Sequence, residues 1–340
     1  MLSVSGWLMY ALNRSRLVAP VSFGCHRYTS AAQSAPNVLI DMVKSFIPPL
    51  TYDQHKGQSG RVAVFGGCQE YTGAPYFAAI SALKLGADLS HVFCTQEAAT
   101  VIKSYSPELI VHPIINSDNL STTSEETSKW LERMHAVILG PGLGRDINTL
   151  KYAEAIIKIA KEKCLPIVID ADGLFLITQK PELVKGYKRA ILTPNVAEFS
   201  RLYEKVFGEK PPENEPVICV KSLAERLGNI TIVQKGFSDV MSDGDKVLVC
   251  YGEGSPRRCG GQGDLLSGSM GIFTHWSHSA VESDNSNEAF EIYGPTIGAA
   301  YAACLLTRHC NNLAFKEYQR SMTTTDMINK ISEAFQFLYQ

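Results

Sequence analysis

Residues 254–264 read GSPRRCGGQGD, and Asp264 opens the apolar pattern DLLSGSMGIF. A glycine-rich turn running into a helix start leaves backbone N–H groups without partners. The positive end of the helix dipole lies behind them, so the segment forms an anion pocket. An aspartate at this place could accept a proton from a substrate hydroxyl while the pocket holds the phosphoryl group under attack. The plainer alternative for Asp264 is an N-cap, a role aspartate fills well. A cap does not need Gly260, Gly261 and Gly263 packed before it.

Other segments carry weaker signals. Asn195 and Glu198 form an N-x-x-E pair; an amide and a carboxylate on one helix turn could order the water shell of Mg²⁺, or could simply cap the helix. Gly140–Arg145 (GPGLGR) lacks the third glycine of a dinucleotide loop, and no G-x-x-x-x-G-K-[ST] pattern occurs. Its glycines could let a flat ligand approach the backbone. Asp170 and Asp172 could reach a metal or substrate, or could serve a turn. His275 and His278 are expected on a solvated helix face, the other histidines are scattered, and Cys259 has no visible base beside it.

These segments need a scaffold. Val/Ile-rich runs without polar alternation at Arg61–Gly66, Ser90–Thr95, Ala136–Gly140, Pro166–Asp170 and Ala190–Thr193 read as strands buried on both faces of a parallel sheet. Helical patterns at Pro75–Leu85, Glu125–Met134, Ile147–Lys163 and Val196–Phe207 alternate with them. Ile230–Gln234, Asp239–Ser242 and Lys246–Tyr251 then read as an antiparallel meander, followed by helices at Asp264–Trp276, Glu288–Thr307 and Thr324–Leu338 with a polar loop over His278–Asn287. The expected fold is an α/β three-layer sandwich with a mostly parallel central sheet and an antiparallel edge. A single domain is expected over about residues 45–340. In such sheets ligands bind beyond the carboxyl ends of the strands, where the loops above would lie.

Composition narrows the function. Thirty-two Lys and Arg stand against 34 Asp and Glu, for a net charge of −2, with no basic run. A nucleic-acid partner is therefore not expected. The apolar stretch Ile292–Leu306 is short and interrupted by Gly294, Pro295 and Gly298, so no membrane span is expected there. Nine cysteines, none in C-x-x-C spacing, argue against a disulfide framework or a zinc site. Residues 1–40 contain Arg14, Arg16 and Arg27 and no Asp or Glu. This pattern fits a mitochondrial transit peptide, the alternative being a disordered tail. Alternative start sites would give a cytosolic form.

The ordered set KGQSGRVAVFGG (Lys56–Gly67), YTGAP (Tyr71–Pro75), GPGLGR, DADGL (Asp170–Leu174), TPNVAEF (Thr193–Phe199), Lys235–Gly236 and GGQGD (Gly260–Asp264) closely resembles the ATP-dependent (S)-NAD(P)H-hydrate dehydratases of the ribokinase-like superfamily. The resemblance runs from about Asp41 to the C-terminus. It implies a repair reaction in which ATP and Mg²⁺ serve to phosphorylate the 6-hydroxyl of a hydrated nicotinamide, after which phosphate is eliminated to return NADH or NADPH. It implies Asp264 as the base, with Gly261, Gln262 and Gly263 forming the phosphate pocket. Lys235, Gly236, Phe237, Ser238 and Asp239, with Gly254, Ser255, Pro256, Arg257, Arg258, Cys259 and Gly260, would face ATP. Gly142, Asn195, Val196, Ala197, Glu198, Phe199, Ser200 and Arg201 would face the hydrated nucleotide, with Asn195 and Glu198 near Mg²⁺ through water. Many relatives carry Thr or Met where this chain has Gln262, a change a backbone pocket tolerates.

The resemblance also implies a separate NAD(P)H-hydrate epimerase as functional partner, and it allows a homo-oligomer. The nearest rival is a small-molecule kinase of the same superfamily acting on a hydroxymethyl vitamin precursor. It would use the same base and pocket but release a stable phosphorylated alcohol. A non-catalytic nucleotide-binding protein would show a lost base or a blocked glycine loop, and neither is seen.

Overall fold

A computed structural model describes residues 35–115, 120–283 and 287–340. Most of the expected leader lies outside them. Two units divide after Val38: Met1–Val38, described only over the start of a helix, and Leu39–Gln340. In chain order the elements are α1 (Ala35–Phe46), β1 (Arg61–Phe65), α2 (Gly73–Leu85), β2 (Leu89–Thr95), α3 (Gln96–Tyr105), β3 (Ile110–Ile115) and α4 (Leu120–Leu131). There follow β4 (Ala136–Leu139), α5 (Ile147–Glu162), β5 (Ile167–Ile169), α6 (Ala171–Gln179), β6 (Ala190–Leu192), α7 (Val196–Phe207) and α8 (Pro216–Arg226). The last third holds β7 (Thr231–Gln234), β8 (Asp239–Ser242), β9 (Val247–Cys250), α9 (Gln262–Glu282), α10 (Glu288–Tyr318), α11 (Thr324–Asn329) and α12 (Ile331–Tyr339).

The nine strands form one sheet in the order β3-β2-β1-β4-β5-β6-β7-β8-β9. Pairing is parallel from β3 through β7 and antiparallel across β7-β8-β9, as the sequence predicts. Successive strand residues point to opposite faces, so each strand feeds two cores. Val62, Val64, Ile138, Val168, Ile191 and Val233 join one cluster, packed with residues of α2, α9, α10 and α12. Ala63, Phe65, Val137, Leu139, Ile167, Ile169, Ala190 and Leu192 join the other, with residues of α5 to α8. Continuous apolar strands are what a sheet covered on both faces requires.

Several elements differ from the sequence reading. Strand β3 and helices α3, α6 and α8 are additional, and α1 brings Met42, Val43 and Phe46 into the core upstream of the boundary expected near residue 45. Strand β3 carries Pro113, and its register with β2 shifts between Phe93 and Thr95. Helix α9 runs on to Glu282, through half of the expected polar loop, because Trp276, Ser277 and Ala280 are buried. The final helix is broken at Lys330 into α11 and α12. Stretch Glu288–Ser321 is long and apolar enough to cross a membrane, but 61% of its most apolar window is buried inside the protein, as for a core helix. Non-helical Gly294, before Pro295, kinks it.

The histidines are less scattered than the sequence implies. His91 Nδ1 on β2 lies 2.9 Å from His112 Nε2 on β3, with Trp130 against both rings. His275 and His278 are packed in, not solvated as expected: His275 stacks on His135 at 4.5 Å. Burial first, and neighbouring positive or titratable groups second, pull His91, His112, His275 and His278 down to about 4. Unfolding returns each to about 6.5, so the unfolded chain binds more protons between those values. Stability contributed by these neutral rings is whole above about pH 6.5 and is lost as pH falls toward 4, at about 1.4 kcal/mol per pH unit for each proton taken up. Asp264, whose pKa is raised, works in the opposite sense but is one group. Thermal melts should therefore show a falling Tm from pH 7 to 4.5, with a shallower slope for His112→Gln.

Candidate functional site

Four of the sequence-selected segments follow the carboxyl ends of neighbouring strands: Gly140 after β4, Asp170 after β5, Asn195 after β6 and Lys235 after β7. The strand order reverses between β1 and β4, where an open α/β sheet forms its crevice. There the loop after β1 meets the loop after β4: the Gly67 N–H donates to Gly142 O at 3.0 Å. Gly142 has φ +61°, and a Cβ on it would stand 2.8 Å from Tyr71 O. The backbone that this glycine admits is thus the protein's own. Asp172 is likewise engaged, accepting from the Gly144 N–H at 3.0 Å and pairing with Arg145 at 2.8 Å. It serves the loop.

Helix α9 begins at Gln262, two residues before the expected start, and its cap is Gly261 at φ +94°. A Cβ on Gly261 would lie 2.7 Å from the Phe77 ring. Asp264 is therefore not the cap but the third residue of the first turn. The first N–H whose partner lies in this turn is that of Leu265, which donates to Gly261 O at 3.0 Å. The N–H groups ahead of it are left for an anion, with no side chain at Gly261 or Gly263 to cover them.

Facing this turn, Lys235 Nζ donates to Asp170 Oδ1 at 2.8 Å, and the Asp170 side chain is only 3% exposed. A Cβ on Gly263 would lie 3.4 Å from both Asp170 Oδ2 and Lys235 Nζ, so the pair abuts the helix start. Burial works against the Lys235 ammonium, but the charge and hydrogen bond of Asp170, with Glu198 and Asp264 behind, outweigh it and hold the pKa above the usual lysine value. Burial, and then the Asp170 charge, push Asp264 well above the carboxylate range, against a smaller pull from Lys235. Both effects raise the proton affinity of the carboxylate, as a proton acceptor at this place requires.

Asn195 caps α7. Its Oδ1 accepts from the N–H groups of Ala197 at 3.0 Å and Glu198 at 2.9 Å, and Glu198 Oε2 accepts from the Asn195 N–H at 2.8 Å. The capping alternative is thus realised, leaving Glu198 Oε1 for any role with a cation. Among the described residues no group of three His, Cys, Asp or Glu is placed to hold a metal. Of the residues expected to face the hydrated nucleotide, Phe199 is 1% exposed and belongs to the core, because successive residues of α7 turn around the helix.

A cavity of about 660 Å³ opens beside α9. Lys235, Gly236, Phe237, Asp239, Gly254, Arg258, Cys259, Gln262 and Gly263 line it, as does Asn195. Ser238, Ser255, Pro256, Arg257, Gly260 and Gly261 do not. Leu266, Cys304, Thr307, Arg308, Asn311 and Met327 also line it, and sequence reasoning missed them. Cys304, Thr307, Arg308 and Asn311 follow helical spacing on α10; the available signal was a lone arginine ending an apolar helical run. Arg308 Nε bonds Asp239 Oδ2 at 2.7 Å, and its terminal nitrogens donate to Phe237 O, Gly236 O and Gly252 O at 2.8, 3.0 and 3.2 Å. The Gly236 N–H donates to Asp239 Oδ1 at 3.0 Å. One guanidinium thus ties the turn after β7 to the start of β8 and to the loop after β9.

Comparison with known proteins fits this geometry. A structure from Bacillus subtilis, titled as an ADP/ATP-dependent NAD(P)H-hydrate dehydratase co-crystallised with ATP/Mg²⁺, shares the fold with TM-score 0.65 at 18% identity, covering 88% of this chain and 97% of its own. A ribokinase-like superfamily protein from Enterococcus faecalis does so with TM-score 0.70 at 20% identity, covering 90% and 95%. Proteins named ATP-dependent (S)-NAD(P)H-hydrate dehydratase from Rattus norvegicus and Danio rerio are 52% and 51% identical, covering 97% and 92% of this chain and 94% and 93% of their own lengths. A family model described as NAD(P)H-hydrate dehydratase matches residues 62–333, and the chain belongs to that family.

Proposed function

We propose that this protein is an ATP-dependent (S)-NAD(P)H-hydrate dehydratase, a lyase that returns hydrated NADH or NADPH to the reduced nucleotide with release of ADP and phosphate. The observation that carries this reading is the first turn of α9, where a high-pKa Asp264 stands beside outward-facing N–H groups and the charged Lys235. The kinase alternative would use the same turn, and the near-full-length relatives favour the dehydratase.

In the first step Asp264 takes the proton of the ring hydroxyl as its oxygen bonds the γ-phosphorus and the bond to ADP breaks. Lys235 and the N–H groups of the glycine turn hold the charge that collects on the phosphoryl oxygens. In the second step the ring-nitrogen lone pair expels phosphate, a far better leaving group than hydroxide. Loss of a proton from the adjacent ring carbon restores the dihydronicotinamide.

Asn195 and Glu198 would hold Mg²⁺ through water. The residues fit an ion that keeps its waters, since the capping box leaves one Glu198 oxygen and no caged donor set is present among the described residues. When bound, the ion neutralises phosphate charge. The acid-free, arginine-bearing leader supports a mitochondrial address, checked by imaging the tagged full chain, with a cytosolic form from alternative starts. The (S)-specific reading supports a functional partnership with an NAD(P)H-hydrate epimerase, which would supply the (S) form from its epimer. A homo-oligomer, compatible with this reading, is checked by light scattering.

The deciding assay mixes the purified protein with hydrated NADH, Mg²⁺ and ATP and follows reduced-nicotinamide absorbance. The expected result is recovery that requires ATP and yields one free phosphate per NADH. A stable phosphorylated product from an alcohol, with no recovery of absorbance, would sink the proposal.

A further inference from the structure

Two polar atoms in the cavity wall have no partner within the protein. Thr307 Oγ1 and Asn311 Oδ1 are both buried and unbonded, although Asn311 as a residue is only 5% exposed. Both residues line the cavity from α10, one helical turn apart. The Asn311 amide nitrogen is turned the other way, toward Met327 Sδ at 3.7 Å. Its oxygen faces Gly254 on the opposite wall, where a Cβ would stand 3.5 Å from it. Buried polar groups without a bond are costly, about 1–3 kcal/mol each, and those that line a cavity are placed for a ligand to complete them.

The chemistry of the missing partner follows from the acceptor. Asn311 Oδ1 can only accept, so its partner must donate. Phosphate oxygens accept and do not donate at neutral pH, and they have their own place at Lys235 and the start of α9. The donors of ATP are the 6-amino group of adenine and the ribose hydroxyls. The cavity is thus polarised, with a phosphate end at Lys235 and Gly263 and a nucleoside end at Thr307 and Asn311. We infer that Asn311, with Thr307 beside it, determines specificity for the nucleoside by accepting a hydrogen bond from a donor on the base or ribose. This rests on ATP being the phosphoryl donor proposed above.

Direct binding tests it without requiring turnover. Calorimetric titration of the full-length protein with ATP, inosine triphosphate, 2′-deoxyATP and 3′-deoxyATP compares ATP with analogues that each lack one of these donors. Inosine triphosphate carries a carbonyl in place of the amino group. Loss of the donor is expected to weaken binding about tenfold or more. A penalty confined to inosine triphosphate assigns the 6-amino group; one confined to a deoxy analogue assigns the ribose. Asn311→Leu should weaken ATP to the level of the penalised analogue, leave that analogue unchanged, and leave kcat within about twofold while KM for ATP rises. Because the substitution removes an unpaired buried acceptor, the ligand-free variant should melt no lower than the parent. Equal affinity of the unaltered protein for all four nucleotides would overturn the inference. So would an Asn311→Leu protein that weakens every nucleotide equally or loses kcat at constant KM. Failure of the dehydratase reading would instead appear as ATP binding with this preference but no recovery of NADH.

Discussion

Asp264→Ala is expected to lower kcat by about 10²–10⁴-fold, the range that a positioned proton acceptor supplies. ATP should still bind. The phosphate pocket is built of backbone N–H groups and Lys235, not of the carboxylate, so ATP at a hundred times its Kd should still add about 2.7 kcal/mol of apparent stability. Ligand-free stability moves the other way from activity. Burial and the neighbouring Asp170 charge disfavour ionised Asp264, so its removal relieves the folded state at neutral pH. The variant should therefore melt at or above the temperature of the parent while turning over almost nothing. Near-normal turnover in Asp264→Ala would show that another group takes the hydroxyl proton.

Lys235→Met should cost both stability and activity, and a second substitution should restore only one of them. Without its ammonium the buried Asp170 carboxylate has no counter-charge, a loss of about 3–5 kcal/mol for a broken buried pair. Replacing both members, as Asp170→Leu with Lys235→Met, removes the buried charge as well as its partner. Such replacements are often neutral or stabilising. Urea melts of the double variant should thus approach the parent, while dehydration stays lost because no cation meets the transferring phosphoryl group. Recovery of turnover in the double variant would mean that the pair is architectural and not part of the chemistry.

The contrast between what could and could not be read from the chain has a physical basis. The glycine turn and Asp264 lie within a few residues of each other, so local backbone rules reveal the pocket before any fold is known. The parallel sheet is equally readable, because strands such as Ala136–Leu139 are apolar on both faces. Lys235 and Asp170 are separately visible, but their ion pair spans 65 residues and exists only once β5 and β7 sit on either side of β6. His91 and His112 become neighbours only through the β2–β3 pairing. Arg308 reads as an isolated charge until α10 folds back over the loops it ties together. Helix α7 shows the opposite failure: Asn195 to Arg201 is one motif in sequence, yet its helical turn sends Phe199 into the core.

Strand β3, where proline and a shifted register interrupt the ladder, forms one end of the nine-stranded sheet. A sheet this wide leaves its outermost strand as a template on which another extended chain could add. Pro113 withholds one N–H, and the register shift opposite Phe93–Thr95 interrupts the regular pairing of the strand. The proline and shifted register that kept β3 from reading as a strand also make this edge a less regular template for an added strand than an unbroken one would be.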